Sequence, residues 1–387
     1  MQRTQTVSIR ELVWPSTGEA PSDDLRLDAE AIVAILNDHR EIIYGFNDLN
    51  TTVDRWLSSV TEPIEYDTRV WVAELDVDGE QRIVGYARAD VAIQGDPELV
   101  YPDVVVAPDA RRQGIGQALA TTAIEALLEA GQRRFECWLL HASEAEEWID
   151  SPTGFGRVPA DDLAAKFATR FGLRLGQVER VSTVEFDGDA QQRLTELRDE
   201  AQAAAGDDYR VHAWAAPTPE QWVADIAHLK SRMQLDAPSG ELEVVQEQYT
   251  EERVRENETR NEKNGIRIRY VAVEHVPSGQ LVAHNVLIVD AANPGHRAEQ
   301  SDTLVLKEHR GHRLGWLVKT EGLLRLLENH PETPGVITWN AEENRPMLSV
   351  NEKVGFRPLG YAGGWQGPIG PAETESDADS ASGENPA

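Results

Sequence analysis

Shifting the chain along itself by 199 positions lays Arg111 on Arg310, Gly116 on Gly315 and the run Leu127-Leu128-Glu129 on Leu326-Leu327-Glu328. Two copies at so long a period exclude a solenoid, whose repeats recur every ~20–50 residues. What remains is one α/β unit written twice. The first copy opens with a strand, "TVSIRELVW", and amphipathic helices such as "DAEAIVAILNDHREIIYGF". A hairpin turned at Asp78-Gly79 follows, then the strand "LVYPDVVVAP", a glycine-bearing turn, the helix "GQALATTAIEALLEAG" and the strand "RFECWLLHA". The second copy keeps that order in "YRVHAWAA", "EQWVADIAHLKSRM", a hairpin turned at Pro277-Ser278-Gly279, "SDTLVLKEHRGHRLGWLVKTEGLLRLLEN" and "GVITWN". Alternating apolar residues mark the strands, and apolar residues three and four apart mark the helices.

A length of 387 residues suits two such domains. The stretch "DGDAQQRLTELRDEAQAAAGDDYR" between them is polar, alanine-rich and bracketed by Gly-Asp pairs, so a helical linker is expected at 188–207. The domains are expected at 1–187 and 208–370. The acidic end, 371–387, has the composition of a disordered tail. The 67 acidic residues outnumber the 37 basic ones, giving a net charge of −30. That argues against nucleic acid and anionic membranes as partners, because both require a basic surface. No apolar run reaches membrane-spanning length, no signal-peptide pattern opens the chain, and Cys137 is the single cysteine. A cytoplasmic location is the expectation.

In "VVVAPDARRQGIGQAL" a strand ends, a turn carries Arg111, Arg112, Gly114 and Gly116, and a helix begins at once. The first N–H groups of a helix have no partner within it and sit at the positive end of its dipole, so phosphate is a natural ligand there. Leu119 occupies the third-glycine position of a dinucleotide fingerprint, and no Gly-Lys-Ser/Thr marks a Walker loop.

With its context, the string Val106, Pro108, Arg111-x-x-Gly114-x-Gly116 resembles the glycine-loop motif of the GCN5-related N-acetyltransferases, the GNAT family. The resemblance implies two tandem GNAT-type domains, each a mixed, largely antiparallel twisted sheet flanked by helices. It implies acetyl-CoA as co-substrate, no metal, and transfer to a primary amine of a small molecule or peptide. Carried over by position, Arg111 and the backbone of Arg112, Gln113, Gly114, Ile115, Gly116 and Gln117 would hold the diphosphate. Val104, Val105 and Val106 would pair with the pantetheine like an added strand. In the second copy Arg310, Gly311, His312, Arg313 and Gly315 fill the loop, with Arg313 in the first glycine slot. The resemblance continues in "TWNAEENRPMLSVNEKVGF", where Asn344 matches an asparagine that contacts coenzyme A and Asn340 is a further possible contact. Phe356 is expected in the core.

Catalytic residues are not assigned by the sequence. The family's glutamate and tyrosine slots hold Trp339 and Asn351 in the second copy, and Ala168 in the tyrosine slot of the first. Glu136, His141 and Glu144 are candidate bases, and Tyr361 is a candidate for the second site. His309 and His312 have no third metal ligand at suitable spacing. The empty slots keep open a second class of function, a non-catalytic acyl-CoA sensor or scaffold.

Overall fold

In the computed structural model the chain divides into two units at points the sequence does not mark. Met1–Val178 with Tyr361–Ala387 form one, and Glu179–Gly360 the other. The structure describes residues 7–15, 19–62, 66–77, 79–93, 96–141, 145–243 and 249–370. Asp78, Glu144 and the acidic tail lie outside them.

The first unit comprises β1 (Val7–Glu11), α1 (Asp23–Tyr44), α2 (Val53–Thr61), β2 (Tyr66–Val77), β3 (Glu80–Ala92), β4 (Leu99–Val106), α3 (Ile115–Ala130), β5 (Arg134–His141), β6 (Trp148–Asp150), β7 (Arg157–Pro159) and α4 (Leu163–Arg170). Its main sheet runs β1-β2-β3-β4-β5, followed by the late part of β14 (Arg357–Pro368). Pairing is antiparallel except between β4 and β5. Alternation of side chains across the strands builds a core on each face. Trp71, Ala87, Val100, Phe135 and Cys137 pack with Leu119, Ile124 and Leu127 of α3. Val70, Val72, Tyr86 and Val105 pack on the opposite face with α1 and α2.

The second unit contains α5 (Ala190–Ala205), β9 (Tyr209–Ala215), α6 (Val223–Asp236), α7 (Glu251–Lys263), β10 (Ile266–His275), β11 (Gln280–Asp290), β12 (Ala298–Val305), α8 (Leu314–Asn329), β13 (Gly335–Ala341) and α9 (Arg345–Val354). Its sheet runs β13-β12-β11-β10-β9, again antiparallel except for one pair, β12 with β13.

These boundaries differ from 1–187 and 208–370 because strands are exchanged. The late part of β14 ladders on β5, from Tyr361 opposite His141 to Pro368 opposite Arg134. The late part of β8 (Arg174–Glu185) ladders on β13, from Glu179 opposite Ala341 to Glu185 opposite Gly335. Strand alternation reveals that a strand exists, and its partner is a tertiary choice. Nor is 188–207 a bare linker. Ala190, Leu194, Leu197, Ala201 and Ala205 of α5 are buried at three- and four-residue spacing, and Leu194, Ala201 and Ala205 enter the second unit's core.

Candidate functional site

The ladder between β4 and β5 is two residue pairs long, Leu99 with Arg134 and Val100 with Phe135. On its other edge β4 stays paired with β3 as far as Val106 opposite Gly85. The strands therefore splay, and from Tyr101 to Val106 the β5-facing edge of β4 carries no ladder. The turn to α3 stands at the end of that edge.

In this turn Arg112 and Gly114 both take left-handed backbone, with φ of 61° and 81°. Gly114 caps α3 without any side-chain hydrogen bond, and the first N–H bonded within the helix is that of Ala118, to Gly114 O at 3.0 Å. Ile115, 1% exposed, anchors the first turn in the core. The two glycines of the turn meet different requirements. A Cβ on Gly114 would meet nothing within 4 Å, so its requirement is conformational. A Cβ on Gly116 would make ordinary contacts with Val106 and Phe167 at 3.5 and 3.6 Å.

The arginine shared by both copies is a clamp within the turn. Arg111 Nε donates to Val106 O at 2.9 Å, and its Nη2 lies 3.4 Å from His39 Nδ1. Arg310 Nε donates to Val305 O at 3.1 Å, and its Nη2 pairs with Asp236 at 3.1 Å. Arg112, by contrast, is exposed and makes no ion pair among the described residues.

On the face of the first sheet that packs against α1 and α2, two carboxylates flank the splay. Tyr86 donates its phenol to Asp103 of β4 at 2.9 Å. Burial and the Asp103 charge push that phenol well above its ordinary pKa. Glu136 of β5 alternates away from the core residues Phe135 and Cys137. Its half-buried carboxyl is pushed up to about 7 by desolvation, against the partial compensation of Arg134. Cys137, on the opposite face of β5, is raised to about 12 by burial, with the charges of Asp103 and Glu136 adding to the shift.

His141 is structural. Trp365 Nε1 donates to its Nε2 at 3.2 Å, which puts the ring proton on Nδ1, 2.8 Å from Asp162. Asp162 in turn caps α4 through Ala165 N–H at 2.7 Å. With both ring nitrogens engaged and the residue 3% exposed, His141 is not placed to serve as a base.

In the second unit β12 and β13 splay in the same way, after three parallel pairs from Ala298 opposite Val336 to Gln300 opposite Thr338. Gly311 and Arg313 have φ of 93° and 57°. Arg313 is held by an ion pair to Glu200, with its guanidinium 5.0 Å from the Trp316 ring centroid. Asn344 accepts from Met347 N–H at 3.3 Å as the cap of α9, so its carbonyl oxygen is engaged by the protein. Asn340 Oδ1 accepts from Asn351 Nδ2 at 2.6 Å. Phe356 is 3% exposed, in the core as expected. Tyr361 lies in β14 opposite His141 of the first unit, not at the second site. His309 Nδ1 lies 3.0 Å from Tyr209 OH.

Asp103, Tyr86 and His39 belong to no motif. Alternation along β4 and β5 was the signal available for placing Asp103 and Glu136 on one face.

Residues 66–150 match the acetyltransferase (GNAT) domain family. No curated protein sequence matches the chain. Among solved structures, a tandem GNAT protein from the clavulanic acid biosynthesis pathway is 23% identical, with 95% of this chain and 100% of that one covered and a TM-score of 0.68. A GCN5-related N-acetyltransferase from Sphaerobacter thermophilus is 14% identical, with 96% and 98% covered and a TM-score of 0.57. The chain thus has the fold of the tandem GNAT proteins, and its residues 66–150 match the GNAT domain family. No helix among the described residues is long and apolar enough to cross a membrane.

Proposed function

We propose that this protein is an acetyl-CoA-dependent N-acetyltransferase whose reaction centre is the first unit, acting on a cationic primary amine of a small molecule or peptide. The observation that carries this reading is the α3 N-terminus, without a side-chain cap and fed by a left-handed turn, beside the unladdered edge of β4. Backbone N–H groups of Arg112–Gln117 would take the diphosphate, with the Arg112 guanidinium as the mobile charge. The edge of Val104–Val106 would bond the amides of the pantetheine arm. Bound acetyl-CoA supplies the thioester that the amine attacks.

Glu136 takes the proton that the acceptor ammonium must lose. A carboxyl with a pKa of about 7 is divided between its two forms at neutral pH, which suits a general base. Asp103 across the splay favours a cationic acceptor and orients it. In the second unit the same position lacks a carboxylate. Arg134 opposes Leu99 and Val336 opposes Ala298; Leu99 and Ala298 are 199 apart, so Glu136 corresponds to Thr338. Thr338 is 1% exposed and donates to Gln300 O at 3.1 Å. The second unit is read as a supporting copy.

Thiol release from acetyl-CoA, measured with purified protein against polyamine, aminoglycoside and peptide amines, tests the proposal. Acceptor-dependent release that Glu136→Gln abolishes supports it. Tight cofactor binding with no release for any amine would favour the sensor reading.

A further inference from the structure

The two units differ at one arginine that both possess. In the first unit Gly85 pairs with both Ala73 and Val106, and in the second Ala283 pairs with both Val273 and Val305. Val106 and Val305 stand 199 apart, so Arg69 corresponds to Arg269 and Trp71 to Val271. Glu11 opposes Trp71, and Ala213 opposes Val271, so those two correspond as well.

Arg69 is fully engaged. Its Nε and Nη2 donate to the two oxygens of Glu11 at 2.7 and 2.8 Å, and its guanidinium lies 4.8 Å from the Trp71 ring centroid. In the second unit alanine replaces that carboxylate and valine replaces that ring. A cavity of ≈190 Å³ opens there, floored by Val271, Leu287, Gly322 and Leu326 and rimmed by Arg269 and His330. Arg269 Nε and Nη2 lie 3.2 and 3.0 Å from His330 Nε2, an imidazole acceptor. Among the described residues Arg269 makes no ion pair, although the chain has 67 acids for 37 bases. Arg180, Arg255, Arg297 and Arg310 of the same unit each hold a carboxylate.

We propose that this cavity is a binding site for a small carboxylate bearing an apolar ring, whose acid group and ring take the places that Glu11 and Trp71 fill in the first unit. An apolar cavity of ~150 Å³ is enough for benzene, so ≈190 Å³ accommodates a ring with its carboxylate. Planar guanidinium and carboxylate match as a two-bond fork. Desolvation and the neighbouring Arg267 lower the basicity of Arg269, an unfavourable setting that an anion would relieve. The site lies roughly 15 Å along α8 from the second unit's own glycine turn, in the unit that does not hold the acyl-transfer centre proposed above.

Titration calorimetry on the intact protein with benzoate, and with benzamide as the uncharged isostere, tests it. Benzoate should bind at least tenfold more tightly than benzamide, and Arg269→Met should remove that preference. Ala213→Glu should restore the internal pair and abolish benzoate binding while raising the melting temperature, which also covers an Arg269→Met protein that fails to fold. Equal binding of the two probes, no benzoate binding by the native protein, or full benzoate affinity in Ala213→Glu would overturn the proposal.

Discussion

The two turns that open α3 and α8 have one backbone and two chemistries. Each has left-handed residues at the same two positions, and each fills one with glycine and the other with arginine, in opposite order: Arg112 then Gly114, Gly311 then Arg313. A non-glycine residue in that conformation costs on the order of 1–2 kcal/mol, so each copy carries one strained position. The order decides where the guanidinium goes. Arg112 precedes the helix and is exposed without an ion pair among the described residues, whereas Arg313 caps the helix and is bound to Glu200. The same fold thus presents an open basic turn in one unit and a turn closed by its own acid in the other.

The largest expected contrast is catalytic. Glu136→Gln should lower kcat/KM by ~10²–10⁴-fold, while Thr338→Val should leave it within about twofold. The native profile should rise with pH and level off above about 7, because the carboxyl must be ionised to accept a proton and burial holds its pKa there. The Glu136→Gln profile should lose that inflection. A pH–rate series on both variants checks the contrast, and an inflection near 7 that survives in Glu136→Gln removes the carboxyl from the mechanism.

Cofactor binding divides the units next. Acetyl-CoA at ~100 times its dissociation constant should stabilise the protein by ~2.7 kcal/mol. Gly114→Glu combines an unfavourable left-handed side chain with negative charge at the helix N-terminus and should remove most of that stabilisation. Arg313→Glu, the matching change in the second unit, should leave it nearly intact. Thermal shift with and without ligand reads both, and an undiminished shift in Gly114→Glu would place the cofactor elsewhere.

A third contrast lies in the helices that follow the turns. Ala120 of α3 corresponds to Lys319 of α8, which is 0% exposed with its Nζ hydrogen-bonded to no described residue. Burial pulls the ammonium down to about 7. The unfolded chain, with an ordinary lysine near ~10.4, binds that proton more tightly, so folding is penalised fully below about 7 and progressively less as pH rises towards ~10. Lys319→Met should stabilise the protein at pH 7 by a few kcal/mol, on the scale of buried-lysine shifts. It should also flatten the rise in stability between pH 7 and 10. Denaturant titrations across that range check the sign, and parallel slopes for native and variant would contradict it.

The sequence carries these features unequally. Duplication, the order of strands and helices and the glycine turn were legible because they rest on periodicity and on residues with unusual backbones. The exchange of β8 and β14 was not, because pairing partners are selected by tertiary contact. Arg111 is expected at the diphosphate from its position in the motif, and its bond to Val106 O appears only when the turn is folded. His141 read as a candidate base for its chemistry, and Trp365, 224 residues away in sequence, removes it from that role. Asp103 and Glu136 needed the splay of β4 from β5 before alternation along each strand could bring them together.

The smallest contrast isolates the backbone term. Arg112→Gly relieves left-handed strain of ~1–2 kcal/mol and gives back ~0.4–1 kcal/mol through the freer unfolded chain. A net gain of about half a kcal/mol is expected, together with weaker acetyl-CoA binding from the lost charge. Arg313→Gly relieves the same strain but also removes the half-exposed pair with Glu200, worth ~0–1 kcal/mol, and the contact with Trp316, ~0.5–1 kcal/mol. Its stability should be unchanged or slightly lower, and its cofactor affinity unaffected. Chemical denaturation of the two variants side by side measures the difference. If Arg313→Gly gained as much as Arg112→Gly, the contacts to Glu200 and Trp316 would contribute nothing, and the closure of the second turn would rest on backbone geometry alone.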